Sequence, residues 1–151
     1  MDILSNGKYP ANKLSNFAAN GFEIDGVQCN SMEGFLQALK FKNPEMQKQI
    51  CQLVGGGAKK AGANKNWRQH QVLYWQGVEY PRKSDEYQKL LDRAYDALSK
   101  NESFKKALLS TGNANLTHSL GSRKQSETVL TTQEFCSRLM AVRTRLKAEN
   151  K

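Results

Sequence analysis

The sequence predicts an α+β domain, mainly α-helical, with a small β element near its N-terminus. Three observations predict it. Residues 84–99, SDEYQKLLDRAYDALS, place Tyr87, Leu90, Leu91, Ala94, Tyr95 and Leu98 on one helical stripe behind a capping serine, Ser84. Thr131 and Glu134 in TTQE form a capping box, and Phe135, Cys136, Leu139, Met140, Val142 and Leu146 follow as a helical apolar face. Asp25-Gly26 lies between the short β-prone runs of FEIDGVQC, which is a hairpin signal.

The other elements follow in order. Residues 5–16 carry Ser, Asn, Gly and Pro and read as a turn-rich opening. The hairpin covers 22–29, and residues 31–42 form the first helix. EMQKQICQLV, 45–54, reads as the second helix, and the glycines Gly55 to Gly57 as a linking loop. A helix is expected over about 65–76, then the long helix of 84–99 and a short one over 102–110. The stretch 111–131 is polar and glycine-bearing and reads as a loop before the last helix. The chain of 151 residues has the size of one domain with its own core, so 1–151 is read as a single domain.

Composition bounds the function. Hydrophobic residues make up 38% and charged residues 25%, a globular rather than a disordered balance. No apolar run is long enough to span a bilayer. MDILSNGKYPANKLSN has no basic segment followed by an apolar one, so no secretory signal is expected. Cys29, Cys51 and Cys136 are odd in number and widely spaced, matching neither a disulfide framework nor a zinc motif. A reducing cytoplasm is expected, in a bacterial cell or a virus-infected host cell. With Lys+Arg 23 against Asp+Glu 14, the net charge of +9 favours an anionic partner: phosphate, nucleotide or nucleic acid. GGGAKKAG lacks the spacing of a phosphate-binding loop, and His70 and His118 make no zinc pattern with the cysteines, so no cofactor or metal is expected.

The first helix carries the chemistry. At about 100° per residue, Glu33, Gln37 and Lys40 share one edge, beside the apolar stripe of Met32, Phe35, Leu36 and Leu39. Such an edge fits a solvated face. Spacing alone favours that face, since most helices have one; the other reading is a partly desolvated acid and amine, with the carboxyl pKa raised and the lysine pKa lowered.

LSNFA (14–18), the hairpin, and then E-x3-Q-x2-K-F on Glu33, Gln37, Lys40 and Phe41 resemble the YbiA-like or NADAR family, named for NAD and ADP-ribose. AKKAG (58–62), NKNW (64–67), ALLSTG (107–112) and RLMAVR (138–143) match further family segments in order, so the resemblance runs from about 13 to 146. The resemblance implies a compact, mainly helical α+β domain that cleaves N-glycosidic bonds at ribose C1. Family substrates include phosphoribosylamino intermediates of riboflavin synthesis and ADP-ribosylated guanine in nucleic acid. By the same resemblance Glu33 is the general acid or base and Lys40 a nucleophile toward C1, by way of a Schiff base. Gln37 completes that pattern at the substrate. Asn16 and Phe17 would shape the pocket wall, with Phe17 equally placed for simple core. Trp67 would stack on a base or serve as core. Arg68, Lys59, Lys60 and Lys65 would hold a phosphate or diphosphate.

One region departs from the family. The pattern has a glutamate after the LL-x-T turn and then a WG-containing loop. Here 113–135 reads NANLTHSLGSRKQSETVLTTQEF, with His118 about where the glutamate falls and no tryptophan after Trp75. His118 is thereby a candidate for hydrogen-bonding or acid–base work, and Arg123 and Lys124 for a phosphate contact. Two rivals to the glycosidase stand beside it. One is a non-catalytic pocket that sequesters an NAD- or ADP-ribose-derived nucleotide. The other is a basic nucleic-acid-binding module.

Overall fold

The computed structural model describes residues 1–150. The chain runs α1 (Ala11–Leu14), β1 (Phe22–Ile24), β2 (Val27–Cys29), α2 (Met32–Ala38), α3 (Pro44–Cys51) and α4 (Gly55–Gly62). A 3₁₀ turn (Trp67–Gln69) leads to β3 (Val72–Trp75) and β4 (Val78–Pro81). Then come α5 (Asp85–Leu98), α6 (Glu102–Ser110) and α7 (Thr132–Glu149). The fold is α+β and mainly helical, as the sequence predicts. No helix among the described residues is long and apolar enough to cross a membrane.

The caps set the long helices. The Ser84 hydroxyl accepts from the Tyr87 N–H, and the Asn101 side chain from the Phe104 N–H. Thr131 and Glu134 form the complete capping box. Each supplies an acceptor to a first-turn N–H that the helix cannot satisfy itself. The predicted hairpin is present, with Ile24 paired to Val27 and both Asp25 and Gly26 at positive φ.

Elsewhere the structure corrects the sequence. The helix expected over 65–76 is a 3₁₀ turn followed by the β3–β4 hairpin. Gln76 and Gly77 have φ of 48° and 84°, the left-handed pair that a tight hairpin turn requires. Leu73 and Trp75 then point inward with period two. Gly55 to Gly57 are not a linker but the first turn of α4. α3 begins at Pro44, with Asn43 as cap and Pro44 in the first turn, and ends at Cys51.

α2 stops at Ala38, so Lys40 lies in the turn beyond it. The carbonyls there are diverted. The buried Gln47 amide donates to Ala38 O at 3.1 Å, Phe41 O at 2.8 Å and Tyr74 O at 2.8 Å. The Tyr74 N–H donates to Leu39 O at 2.8 Å. These bonds dock the second hairpin on the end of α2 and fix the turn that carries Lys40.

One apolar core joins the elements, with Phe35 of α2 edge-on to Trp75 at 5.0 Å between ring centroids. Cys29, Cys51 and Cys136 are free and buried. Gly34 lets α2 lie against the end of α3: a Cβ there would meet Leu53 O at 2.7 Å, Ile50 O at 2.9 Å and Cys51 O at 3.0 Å. These are backbone atoms and cannot swing aside. Gly34→Ala is therefore expected to cost about 1–3 kcal/mol, read from the urea midpoint. An unchanged midpoint would show that the helices separate freely.

Candidate active site

A cavity of about 500 Å³ opens between α2, α4, the 3₁₀ turn and the 118–130 loop. Glu33, Gln37 and Lys40 line it, as do Asn16 and Phe17 from the opening segment, Trp67 and Arg68 from the 3₁₀ turn, and His118 from the loop. The chain thus gathers at one cavity the two candidate catalytic residues and Asn16, Phe17, Gln37, Trp67, Arg68 and His118. Of the basic residues named for phosphate, Lys59 and Arg68 reach the cavity. Lys60, Lys65, Arg123 and Lys124 do not; the Lys65 ammonium instead sits 4.8 Å from the centre of the Phe41 ring. Trp67 is 7% exposed, so most of it serves the core while it also lines the cavity.

The local chain explains the placement. Ser31 caps α2 by accepting from the Gly34 N–H, and the Glu33 N–H donates to Asn16 O at 3.0 Å. The first turn of α2 is thereby tied to the SNFA segment. The Asn16 side chain is tied in turn: Tyr95 of α5 donates its hydroxyl to Asn16 Oδ1 at 2.8 Å. Burial keeps the Tyr95 phenol protonated, well above its usual range.

Along α2 the Gln37 Nε2 donates to Glu33 Oε2 at 2.7 Å. The Gln37 Oε1 is buried and has no hydrogen-bond partner among the described residues. It lies against Gly62 of α4, where a Cβ would come within 1.9 Å of it. A glycine is required there for the two helices to close over the amide.

Electrostatics move the pair toward neutrality. Burial raises the Glu33 carboxyl above its ordinary range, against the opposing pull of Gln37, Lys40 and Lys59. Burial lowers the Lys40 ammonium; Glu33 opposes this, while Arg68 and Lys59 add to it. When the two share one proton, desolvation favours the form with neutral acid and neutral amine over the ion pair. A neutral amine is nucleophilic and a protonated carboxyl can give a proton.

His118 lies where its tautomer is set. Its Nδ1 is 2.7 Å from Ile3 O, a pure acceptor, so Nδ1 carries the proton and Nε2 is the free nitrogen. Phe135 holds the ring edge-on at 5.4 Å.

The 118–130 loop also brings Ser122, Glu127, Thr128 and Leu130 to the cavity, and the sequence reading did not assign them. Glu127 is a second carboxylate there. Distant partners fix this wall. Arg82 Nε donates to Thr128 O at 2.8 Å, the Tyr87 hydroxyl to Val129 O at 2.6 Å and Arg68 Nε to Glu127 O at 3.0 Å. No periodicity or cap in the sequence signals such contacts. Among the described residues no group of three or more His, Cys, Asp or Glu side chains gathers as a metal-ligand set.

Residues 8–144 match the model of the family described as Bacteriophage protein GP30.3. The chain is 38% identical over 146 residues to an uncharacterized 17.1 kDa protein in the Gp30-rIII intergenic region of Enterobacteria phage T4, covering 95% of this chain and 96% of that protein. Its fold is similar to the NMR structure of the E. coli protein YbiA, with a TM-score of 0.64 at 18% identity, covering 99% of this chain and 86% of that one. The fold implied by the resemblance is thus the fold found, and the chain belongs to the family of bacteriophage protein GP30.3.

Proposed function

We propose that the protein is an N-glycosidase that hydrolyses the C1–N bond of an ADP-ribosyl or phosphoribosylamino compound. The reading is supported by one observation above the rest. Glu33 and Lys40 line the same cavity, and burial drives each toward its neutral form. The substrate class comes from the YbiA-like resemblance of the sequence, and the cationic Lys59 and Arg68 at the cavity suit its phosphates.

In this reading Glu33 gives its proton to the departing nitrogen as the C1–N bond breaks. The Lys40 amine bonds to C1; one proton then passes from that nitrogen to the ring oxygen, which leaves C1 as a hydroxyl, and the nitrogen lone pair forms the C1=N bond of a protonated Schiff base. Water, deprotonated by Glu33, adds to C1 and releases the sugar and the free amine. Asn16, Phe17 and Trp67 form the wall beside Glu33, and His118 Nε2 is available to a sugar hydroxyl. The relative in phage T4 supports a site of action in the cytoplasm of an infected bacterium.

The test is mass spectrometry of products with an ADP-ribosylated guanine oligonucleotide and, separately, a phosphoribosylaminopyrimidine, with and without borohydride. Released base is expected, with a borohydride-trapped adduct that is lost in Lys40→Ala together with a rate fall of about 10²-fold or more. Release without an adduct would overturn the covalent route and leave direct attack by water. A ligand held in native spectra with no release would overturn catalysis in favour of a sequestering pocket.

A further inference from the structure

The Gln37 amide raises a question that a simple substrate contact does not answer. Its Nε2 is taken by Glu33 at 2.7 Å, and its Oε1 is buried without a partner among the described residues. A buried acceptor left unpaired is costly, and a residue that carries one needs a reason.

We infer that the Gln37 carboxamide is a two-faced partner of Glu33, donating to the ionised carboxylate and, after a half-turn about χ3, accepting from the protonated acid. The inference deepens the proposed acid–base role of Glu33 and takes its purpose from it.

The geometry supports the half-turn. Exchange of Oε1 and Nε2 leaves the heavy atoms in the same places. In the present orientation Oε1 gains no hydrogen bond at the position against Gly62, so nothing there holds the oxygen in place. The hydrogen bond to Glu33 is what holds the amide, and the proton on Glu33 decides which end faces it. Gly62 is what keeps that far position open. A Cβ would fall 1.9 Å from Oε1, 2.9 Å from Cδ and 3.3 Å from the Gln37 Cβ.

No other side chain does this work. Gln37 makes the one side-chain hydrogen bond that Glu33 receives among the described residues. The other groups act on Glu33 through their charge: Lys40 in the turn after α2 and Lys59 on α4, with Arg68 acting on Lys40, while the buried Tyr95 phenol of α5 stays protonated and uncharged. A glutamate at 37 would set two acids side by side, and a leucine would leave both forms of Glu33 unpaired. An acid that must both give and take a proton in one cycle gains from a partner that fits either state.

The experiment is an NMR titration of uniformly ¹³C,¹⁵N-labelled protein without substrate, which reads Glu33 whether or not the protein is a glycosidase. The Glu33 carboxyl carbon and the Gln37 side-chain nitrogen are expected to titrate with one midpoint. The nuclear Overhauser contact between the Gln37 NH₂ and the Gly62 Hα should grow as the pH falls through it. In Gln37→Met the Glu33 midpoint should move upward, because the donor that favours its ionised form is gone. A Gln37–Gly62 contact that stays constant across the titration overturns the two-faced partner. An unmoved midpoint in Gln37→Met overturns the coupling itself. Loss of glycosidase activity is not a readout, so failure of the proposed function leaves both outcomes readable.

Discussion

Glu33→Gln should lose base release by about 10²–10⁴-fold while unfolding at a temperature equal to or above that of the wild type. The two effects share one cause. Burial raises the folded-state pKa of Glu33 over that of the unfolded chain, despite Gln37, Lys40 and Lys59. The folded state therefore holds this proton more tightly than the unfolded state. Its contribution to stability is most favourable below the unfolded pKa and declines as the pH rises through the folded pKa. Wherever Glu33 is ionised, its buried carboxylate is a burden that a neutral glutamine does not carry. The carboxamide that replaces it can still accept from the Gln37 amide, so the local hydrogen bond survives the substitution. Lys40 loses its counter-charge and becomes neutral more readily, which offsets its own cost of burial. Thermal unfolding and initial-rate assays on the same preparation check both halves. Full base release by the variant would remove Glu33 from the chemistry. A marked fall in unfolding temperature would show that its charge supports the fold instead.

The acid–amine edge was legible because it is local. Glu33 and Gln37 are an i, i+4 pair on one helix, and their hydrogen bond is the one that spacing allows. α5 and α7 were legible for the same reason: Ser84 and Thr131 announce them. What was not legible depends on distance in sequence. VLYWQGV fits a helical or an extended period equally well, and the decision rests on left-handed Gln76 and Gly77 and on Gln47 holding Tyr74 O. Lys40 stands outside α2 because that same Gln47 takes the carbonyls at the helix end. Glu127, Thr128 and Leu130 reach the cavity only because residues far back in the chain grip their loop.

The strongest of those grips is Arg82, and Arg82→Met should cost about 3–5 kcal/mol in stability. Arg82 is 1% exposed, and its guanidinium meets Glu134 through two bonds, 3.1 Å from Nη1 to Oε2 and 2.6 Å from Nη2 to Oε1. Its Nε takes Thr128 O, so one side chain ties the N-terminus of α7, the end of β4 and the cavity wall together. Burial would raise the Glu134 carboxyl, but Arg82, the Thr131 N–H and the Gln88 amide overcome it and hold the pKa down to about 2. A depressed carboxyl stabilises the fold above its unfolded value of about 4.5, and that stability is lost as the pH falls from there toward 2. Removal of Arg82 leaves Glu134 buried without its charge partner, so the acid limb of the stability curve should flatten as the midpoint drops. Replacement of both partners, Arg82→Met with Glu134→Gln, should recover part of the loss, since the new amide oxygen can still accept from the Thr131 N–H. Urea unfolding from pH 3 to 7 measures all three proteins. A loss below about 1 kcal/mol would mean the pair is solvated enough to be dispensable. A larger loss with no recovery in the double variant would place the effect in the Thr128 contact, and hence in the loop that walls the cavity.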